Sequence, residues 1–139
     1  MVEDLIIIGS GPAGLTAAIY TAREDFKPLV ITGLSSGGQL LLTTKVENYP
    51  AFPDGIDGPE LVESMRKQAE NFGARFANED VVDIDFSSKP FKIKTSSGEY
   101  EANSVIIATG ASAKWLGIPS EQKYIGKGIS SCATCDAPF

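Results

Sequence analysis

The sequence predicts an α/β fold: a parallel sheet opened by a strand–turn–helix–strand unit and extended by an antiparallel meander. Three observations predict it. The stretch Val2 to Ile8 ends in three isoleucines and meets Gly9. An alanine-rich stretch follows, and then a second β-branched run at Pro28 to Thr32. Further on, Val81 to Phe86 and Phe91 to Thr95 alternate polar and apolar residues. A continuous apolar run suits a strand buried on both faces, whereas alternation suits a strand with one wet face.

Each element follows from local chemistry. Val2 to Ile8 is the first strand. Pro12 sits where the first turn of a helix accepts proline, and Ala13 to Glu24 reads as that helix. Pro28 to Thr32 is the second strand, so the crossover is right-handed. Gly33 to Pro53 has little period and is long for a connection, which points to a functional or a disordered segment. Its apolar residues are interleaved with polar ones that could line a site, which favours function. Pro59 to Phe72 is the clearest helix, with Leu61, Val62, Met65, Ala69 and Phe72 on one face and Gly73 as its stop. A strand follows at Ala74 to Ala77. The alternating pair and a Ser97-Gly98 turn before Tyr100 make the meander. Asn103 to Thr109 then returns to a buried strand centred on Val105-Ile106-Ile107-Ala108, and Gly110 to Gly128 reads as loop.

Bulk properties narrow the function. At 139 residues the chain is one domain, or one domain and the beginning of another. With 42% hydrophobic residues it can bury a core. A net charge of -6 gives no electrostatic reason to seek nucleic acid or anionic lipid. Leu5 to Ile8 is too short to span a membrane and follows two acids, unlike a signal peptide. The expected location is cytoplasmic. There is no histidine, which excludes a Cys-His or Ser-His-Asp mechanism carried by this chain alone. It also leaves any metal site without imidazole.

Gly9-Ser10-Gly11-Pro12-Ala13-Gly14 matches G-x-G-x-x-G between a predicted strand and a predicted helix. In that context Gly9 permits the tight turn, Gly11 lets backbone approach a pyrophosphate, and Gly14 lets the helix pack on the strand. The phosphate would face the helix N-terminus, where free N–H groups and the dipole favour an anion. The fold expected is therefore an FAD/NAD(P)-binding, Rossmann-like one. One part of the usual pattern is missing. The second strand ends Val30-Ile31-Thr32-Gly33, without the acid that would hold a ribose hydroxyl.

The two cysteines, Cys132 and Cys135, form C-x-x-C. That spacing brings the sulfurs within bonding reach in a small strained ring, which suits a bond meant to open and close. Asp136 is the adjacent group able to give or take a proton. A zinc site would need further ligands, supplied by another subunit. A passive disulfide is unusual inside a cell. The redox reading is favoured. A dinucleotide site beside a redox pair points to a flavin, which accepts a hydride and passes electrons to a disulfide.

Four stretches now carry a resemblance: GSGPAGLTAAIYTAR from Gly9, ITGLSSGGQLLLTTKVENYPAFP from Ile31, SVIIATGASAKWLGIPSE from Ser104 and GKGISSCATCDAPF from Gly126. Over nearly its full length the chain resembles the N-terminal part of low-molecular-weight thioredoxin reductases, a family of flavoprotein disulfide reductases. The resemblance implies an FAD domain split in sequence, with residues 1–115 its first part. Residues 116–139 would begin an inserted NADPH-binding domain that carries the redox pair. In such enzymes electrons pass from NADPH to FAD, to the disulfide, and to thioredoxin. By the same resemblance Ser10 to Ala13 would contact the FAD pyrophosphate. Gly38-Gln39 and Asn48 would hold the ribose or flavin region. Val81 would meet the adenine, and Thr109-Gly110 would approach the cofactor from the last strand. Cys135 would lie nearest the isoalloxazine, Cys132 would attack the partner disulfide, and Asp136 would be the acid-base residue. Relatives form homodimers. The residues after Asp136, Ala137-Pro138-Phe139, depart from the family's commoner glycine and aromatic.

No second G-x-G-x-x-G/A occurs, so the NADP site is expected outside this chain. The chain then reads as part of a longer enzyme and would not turn over NADPH alone. Two alternatives remain: a non-catalytic FAD-binding fragment, and a flavoprotein reductase serving a peroxiredoxin. The cysteine motif of the latter usually differs from C-A-T-C.

Overall fold

The computed structural model describes residues 1–133. The elements in order are β1 (Val2–Ile8), α1 (Pro12–Arg23), β2 (Leu29–Ile31), a 3-10 turn (Gly38–Leu42), β3 (Lys45–Val46), β4 (Ile56–Asp57), α2 (Gly58–Asn71), β5 (Arg75–Ala77), β6 (Val81–Asp85), β7 (Phe91–Thr95), β8 (Glu99–Ile107) and α3 (Glu121–Tyr124). Six strands form one sheet in the order β5-β2-β1-β8-β7-β6. Its β5, β2, β1 and β8 run parallel, and β7 and β6 continue antiparallel. The expected βαβ opening and meander are both present.

The sheet centre is dry on both faces because β1 is apolar at every inner position. Leu5 and Ile7 pack with Ala18, Ile19 and Ala22 of α1 and with Ala69 of α2. Ile6 and Ile8 face the other way, into a cluster with Leu29, Ile31, Ile93 and Ala102. Val81 and Ile84 join that second cluster, so the meander covers the face opposite the helices. Ile6 and Ile7 are fully buried, and each such side chain stabilises the fold by roughly 2–3 kcal/mol. A third cluster explains the long connection. Val46 and Ile56, from the β3–β4 ribbon, pack with Leu15, Leu61, Val62 and Met65. The segment is thus anchored on α1 and α2.

Two elements differ from expectation: a short helix, α3, forms inside the stretch Gly110 to Gly128 that reads as loop, and β8 joins two predicted strands. The third meander strand and the later buried strand are a single strand, β8. Its first residues pair with β7 from Glu99 to Ala102. Its other edge pairs with β1 from Glu101 to Ile107. No turn residue separates the two halves, so one strand serves both neighbours. Nor is its end buried: Asn103 and Ser104 are exposed, and Ile107 is 60% exposed. Val105 and Ile106 between them are only partly buried, each packed against one of the two core clusters. The strand also stops at Ile107, two residues short of the predicted end.

The meander is tied to the sheet by Glu79. Its carboxylate accepts hydrogen bonds from Tyr100 Oη at 2.9 Å and from the Thr95 hydroxyl. The bond to Glu79 first, and then burial and the charges of Glu79 and Glu3, raise the Tyr100 phenol above its ordinary 10.0. A raised folded value means the stabilisation is complete below about pH 10 and is lost as pH climbs through the higher value. Thermal unfolding of Tyr100→Phe should therefore show a flatter alkaline limb than that of the parent. Parallel limbs would show that the tyrosine does not carry this dependence.

Beyond β8 the chain is exposed until Glu121, which is only 4% exposed. Its carboxylate oxygens accept N–H groups of Leu116 at 2.6 Å and Gly117 at 2.7 Å. Hydrogen bonds to a charged group are worth about 1.5–3 kcal/mol each. Glu121→Ala should thus raise amide exchange at Leu116 and Gly117 by at least about tenfold, with little change in β1. Unchanged exchange at those two amides would show that the carboxylate does not hold the turn. Among the described residues no helix is long and apolar enough to cross a membrane.

Candidate cofactor-binding site

The glycine turn joins β1 to α1 at the carboxyl end of the parallel strands. Gly9 N–H donates to Ile31 O at 2.8 Å, and Ala108 N–H donates to Ile8 O at 2.8 Å. These bonds pin the turn between its two neighbouring strands. Gly9 has φ +107°, and a Cβ there would lie 2.2 Å from Ala108 O. A Cβ on Gly14 would lie 2.0 Å from Gly9 O. Both positions are closed by the chain's own backbone.

Gly11 is different. It has an ordinary φ of -72°, and a Cβ there would meet nothing within 4 Å. Neither sterics nor conformation inside the chain requires glycine at this position. The open space beside Gly11 lies at the start of α1. That helix has no side-chain cap and no acid in its first turn. Its first N–H groups and the dipole are therefore available to an anion. Open room beside Gly11, an uncapped helix and no competing carboxylate fit a pyrophosphate.

Two clefts flank the turn. The larger, about 510 Å³, is lined by Ile8, Gly9, Ile31, Thr32, Gly33, Asp80, Val81, Ile84, Ile107 and Thr109. It lies where a doubly wound sheet places a nucleotide. The smaller, about 180 Å³, runs from Ser10 and Gly37 to Arg66 of α2. The larger fits better because it joins the glycine turn, three strand ends and an apolar wall.

The structure brings together only some of the expected residues. Gly9, Val81 and Thr109 share the larger cleft. Gly38 lies over the turn, where its Cβ would be 3.2 Å from Gly11 Cα. Ser10 is buried, and its hydroxyl donates to Thr32 O at 3.2 Å and accepts from Gly37 N–H at 2.9 Å. That side chain ties the 3-10 segment to the end of β2. Pro12 supplies the first turn of α1, and Ala13 beside it is exposed. Gln39 is exposed, and Asn48 lines a separate shallow depression with Tyr49 and Phe52. Gly110 is exposed and lines neither flanking cleft.

Cys132 is half-buried and disulfide-bonded. Its N–H donates to Ser130 Oγ at 2.9 Å. It lines none of the three depressions described here. Cys135 and Asp136 lie outside the described residues. Among the described residues there is no group of three or more metal-ligating side chains.

Sequence reasoning missed Ile8, Ile31, Thr32, Gly33, Asp80, Ile84 and Ile107 as cleft residues. Asp80 carried a signal, since it directly precedes Val81. What hid it was its distance in sequence from the strand end it faces.

Comparison with known proteins agrees with this geometry. A thioredoxin reductase of Rickettsia bellii is 57% identical over 136 residues, covering 97% of this chain and 44% of the relative. The solved thioredoxin reductase from Giardia duodenalis has a TM-score of 0.85 and 45% identity, covering 97% of this chain and 44% of that one. A glucosaminate ammonia-lyase of Pseudomonas fluorescens is also 50% identical, over 97% of this chain and 42% of its own length. The chain thus spans less than half the length of these relatives. A family model described as pyridine nucleotide-disulphide oxidoreductase matches residues 3–139, and the chain belongs to that family.

Proposed function

We propose that this chain is the flavin-binding and dithiol-bearing part of a thioredoxin-disulfide reductase. The observation that supports it best is Gly11, whose missing side chain leaves room for a phosphate beside an uncapped helix. Relatives named thioredoxin reductase support the activity. A relative of another name is half identical as well, so the assignment leans on the C-x-x-C pair.

In this reading FAD, when bound, supplies two-electron chemistry between NADPH and a disulfide. Residues 1–115 belong to the FAD domain, and residues 116–139 begin the NADPH domain. Gly11 and Ala13 accommodate and bind the pyrophosphate. Ser10, through its bonds to Thr32 and Gly37, holds Gly38 over the turn. Val81 meets the adenine, and Gln39, Asn48, Thr109 and Gly110 complete the cofactor's surroundings.

The cysteine pair works by exchange. Two electrons and two protons convert its disulfide to a dithiol. The Cys132 thiolate then attacks one sulfur of the thioredoxin disulfide, forming a mixed disulfide and releasing the other sulfur as a thiolate. The Cys135 thiolate then attacks the Cys132 sulfur of the mixed disulfide and displaces the thioredoxin sulfur as a thiolate, which frees reduced thioredoxin and restores the Cys132–Cys135 disulfide. Asp136 gives and takes the proton that the thiols exchange. The working form is a cytoplasmic homodimer.

The test is the visible spectrum of the purified 139-residue chain after incubation with FAD and gel filtration. A two-band flavin spectrum that travels with the protein is the expected result. Protein that elutes colourless at saturating FAD would count against flavin binding by this chain.

A further inference from the structure

Gly33, two residues past the end of β2, stands where a dinucleotide site usually carries an acid. The structure puts a carboxylate there from elsewhere. Gly33 has φ +76°, and a Cβ built on it would lie 3.4 Å from Asp80 Oδ1. Asp80 thus occupies the space into which an acidic side chain at position 33 would reach, although the two positions are 47 apart in sequence.

Asp80 is held from three directions. Its N–H donates to Ser96 Oγ at 3.3 Å, and its C=O accepts from Ser96 N–H at 2.9 Å. Its Oδ1 accepts from Leu34 N–H at 2.9 Å. The preceding residues run beside the end of β2. Thr32 N–H donates to Ala77 O at 2.9 Å, and Gly33 N–H donates to Glu79 O at 3.1 Å. Asp80 lines the larger cleft with Gly9, Thr32 and Val81. Its second oxygen, Oδ2, has no hydrogen-bond partner among the described residues.

We propose that Asp80 is the ribose-recognising acid of this site, accepting a hydroxyl of the adenosine ribose in place of the acid missing from the end of β2. The inference rests on the flavin-dinucleotide reading above and adds a specificity residue to it. The chemistry requires a hydroxyl donor at the nucleotide sugar. A carboxylate there also disfavours a 2′-phosphorylated nucleotide, by charge repulsion and by loss of the donor.

The test is a titration of the 139-residue chain with FAD and with its 2′,3′-dideoxyadenosine analogue, followed by flavin fluorescence. Wild type, Asp80→Ala and Asp80→Asn are compared. A charge-assisted hydrogen bond predicts that wild type binds FAD about tenfold to a hundredfold more tightly than the analogue. Asp80→Ala is expected to bind both alike, at the weaker affinity. Asp80→Asn keeps an acceptor for Leu34 N–H and should show an intermediate preference. If Asp80→Ala retains the full preference for FAD over the analogue, Asp80 does not hold the ribose, while the flavin reading stands. If wild type binds both ligands equally, the proposal falls in the same way. Failure of wild type to bind FAD at all would overturn the flavin reading for this chain and this proposal with it.

Discussion

Replacing Gly9 by alanine should cost about 4 kcal/mol of stability, enough to unfold a domain with a typical margin of about 5–15 kcal/mol in mild denaturant. Two effects add. Holding alanine at φ +107° costs on the order of 1–3 kcal/mol. Its Cβ must also displace Ala108 O, which stands 2.2 Å from the built position. Overpacking of that kind costs typically 1–3 kcal/mol more. The carbonyl cannot swing away cheaply, because Ala108 N–H is engaged with Ile8 O in the continuing ladder. Urea unfolding monitored by circular dichroism measures the loss. A midpoint within experimental error of the parent would mean that the β1–β8 junction is looser than its geometry indicates.

Gly11→Ala should do the opposite. The added methyl meets nothing within 4 Å, and φ -72° suits alanine, so the unfolding midpoint should stay within about 0.5 kcal/mol of the parent. Replacing glycine can even stabilise slightly by restricting the unfolded chain. Flavin binding, in contrast, should weaken by about a hundredfold or more. The methyl fills the space in which the backbone would meet a pyrophosphate and bars close approach to the N–H groups of α1. The pair of substitutions separates two roles that one motif combines. On the proposed reading Gly9 serves the fold and Gly11 the ligand. An alanine at Gly11 that keeps full FAD affinity would remove the main support for a phosphate beside that residue.

Much of this was legible in the residues. β1 and β7 fall on their predicted bounds, and α2 lies within one residue of them. Period and punctuation are strong there: the apolar Leu5 to Ile8 closed by Gly9, an alternating run, and an amphipathic stripe between Pro59 and Gly73. β8 was misread because a strand that pairs antiparallel on one edge and parallel on the other changes its surroundings midway. Periodicity then suggests two strands where the backbone makes one. The exposure of Ile107 was equally invisible, because an apolar residue does not reveal whether anything covers it.

The site shows the same division. Local rules sufficed for the glycine turn, since strand, turn and helix are contiguous and each glycine has a role fixed by its immediate neighbours. They sufficed also to single out Cys132 and Cys135 as a pair, because ring closure over two residues is a local property. The tertiary structure added what closes each position: Ala108 O stands against Gly9 and Gly9 O against Gly14, while Gly11 faces open space. Only the tertiary structure set Asp80 beside Gly33. That placement needs β5 to pair with β2 and the loop before β6 to lie along the end of β2. A motif records chemistry that neighbours in sequence perform together. A carboxylate delivered by a loop distant in sequence is not recorded in the spacing around Gly33, because its position is set by sheet pairing rather than by the chain beside it.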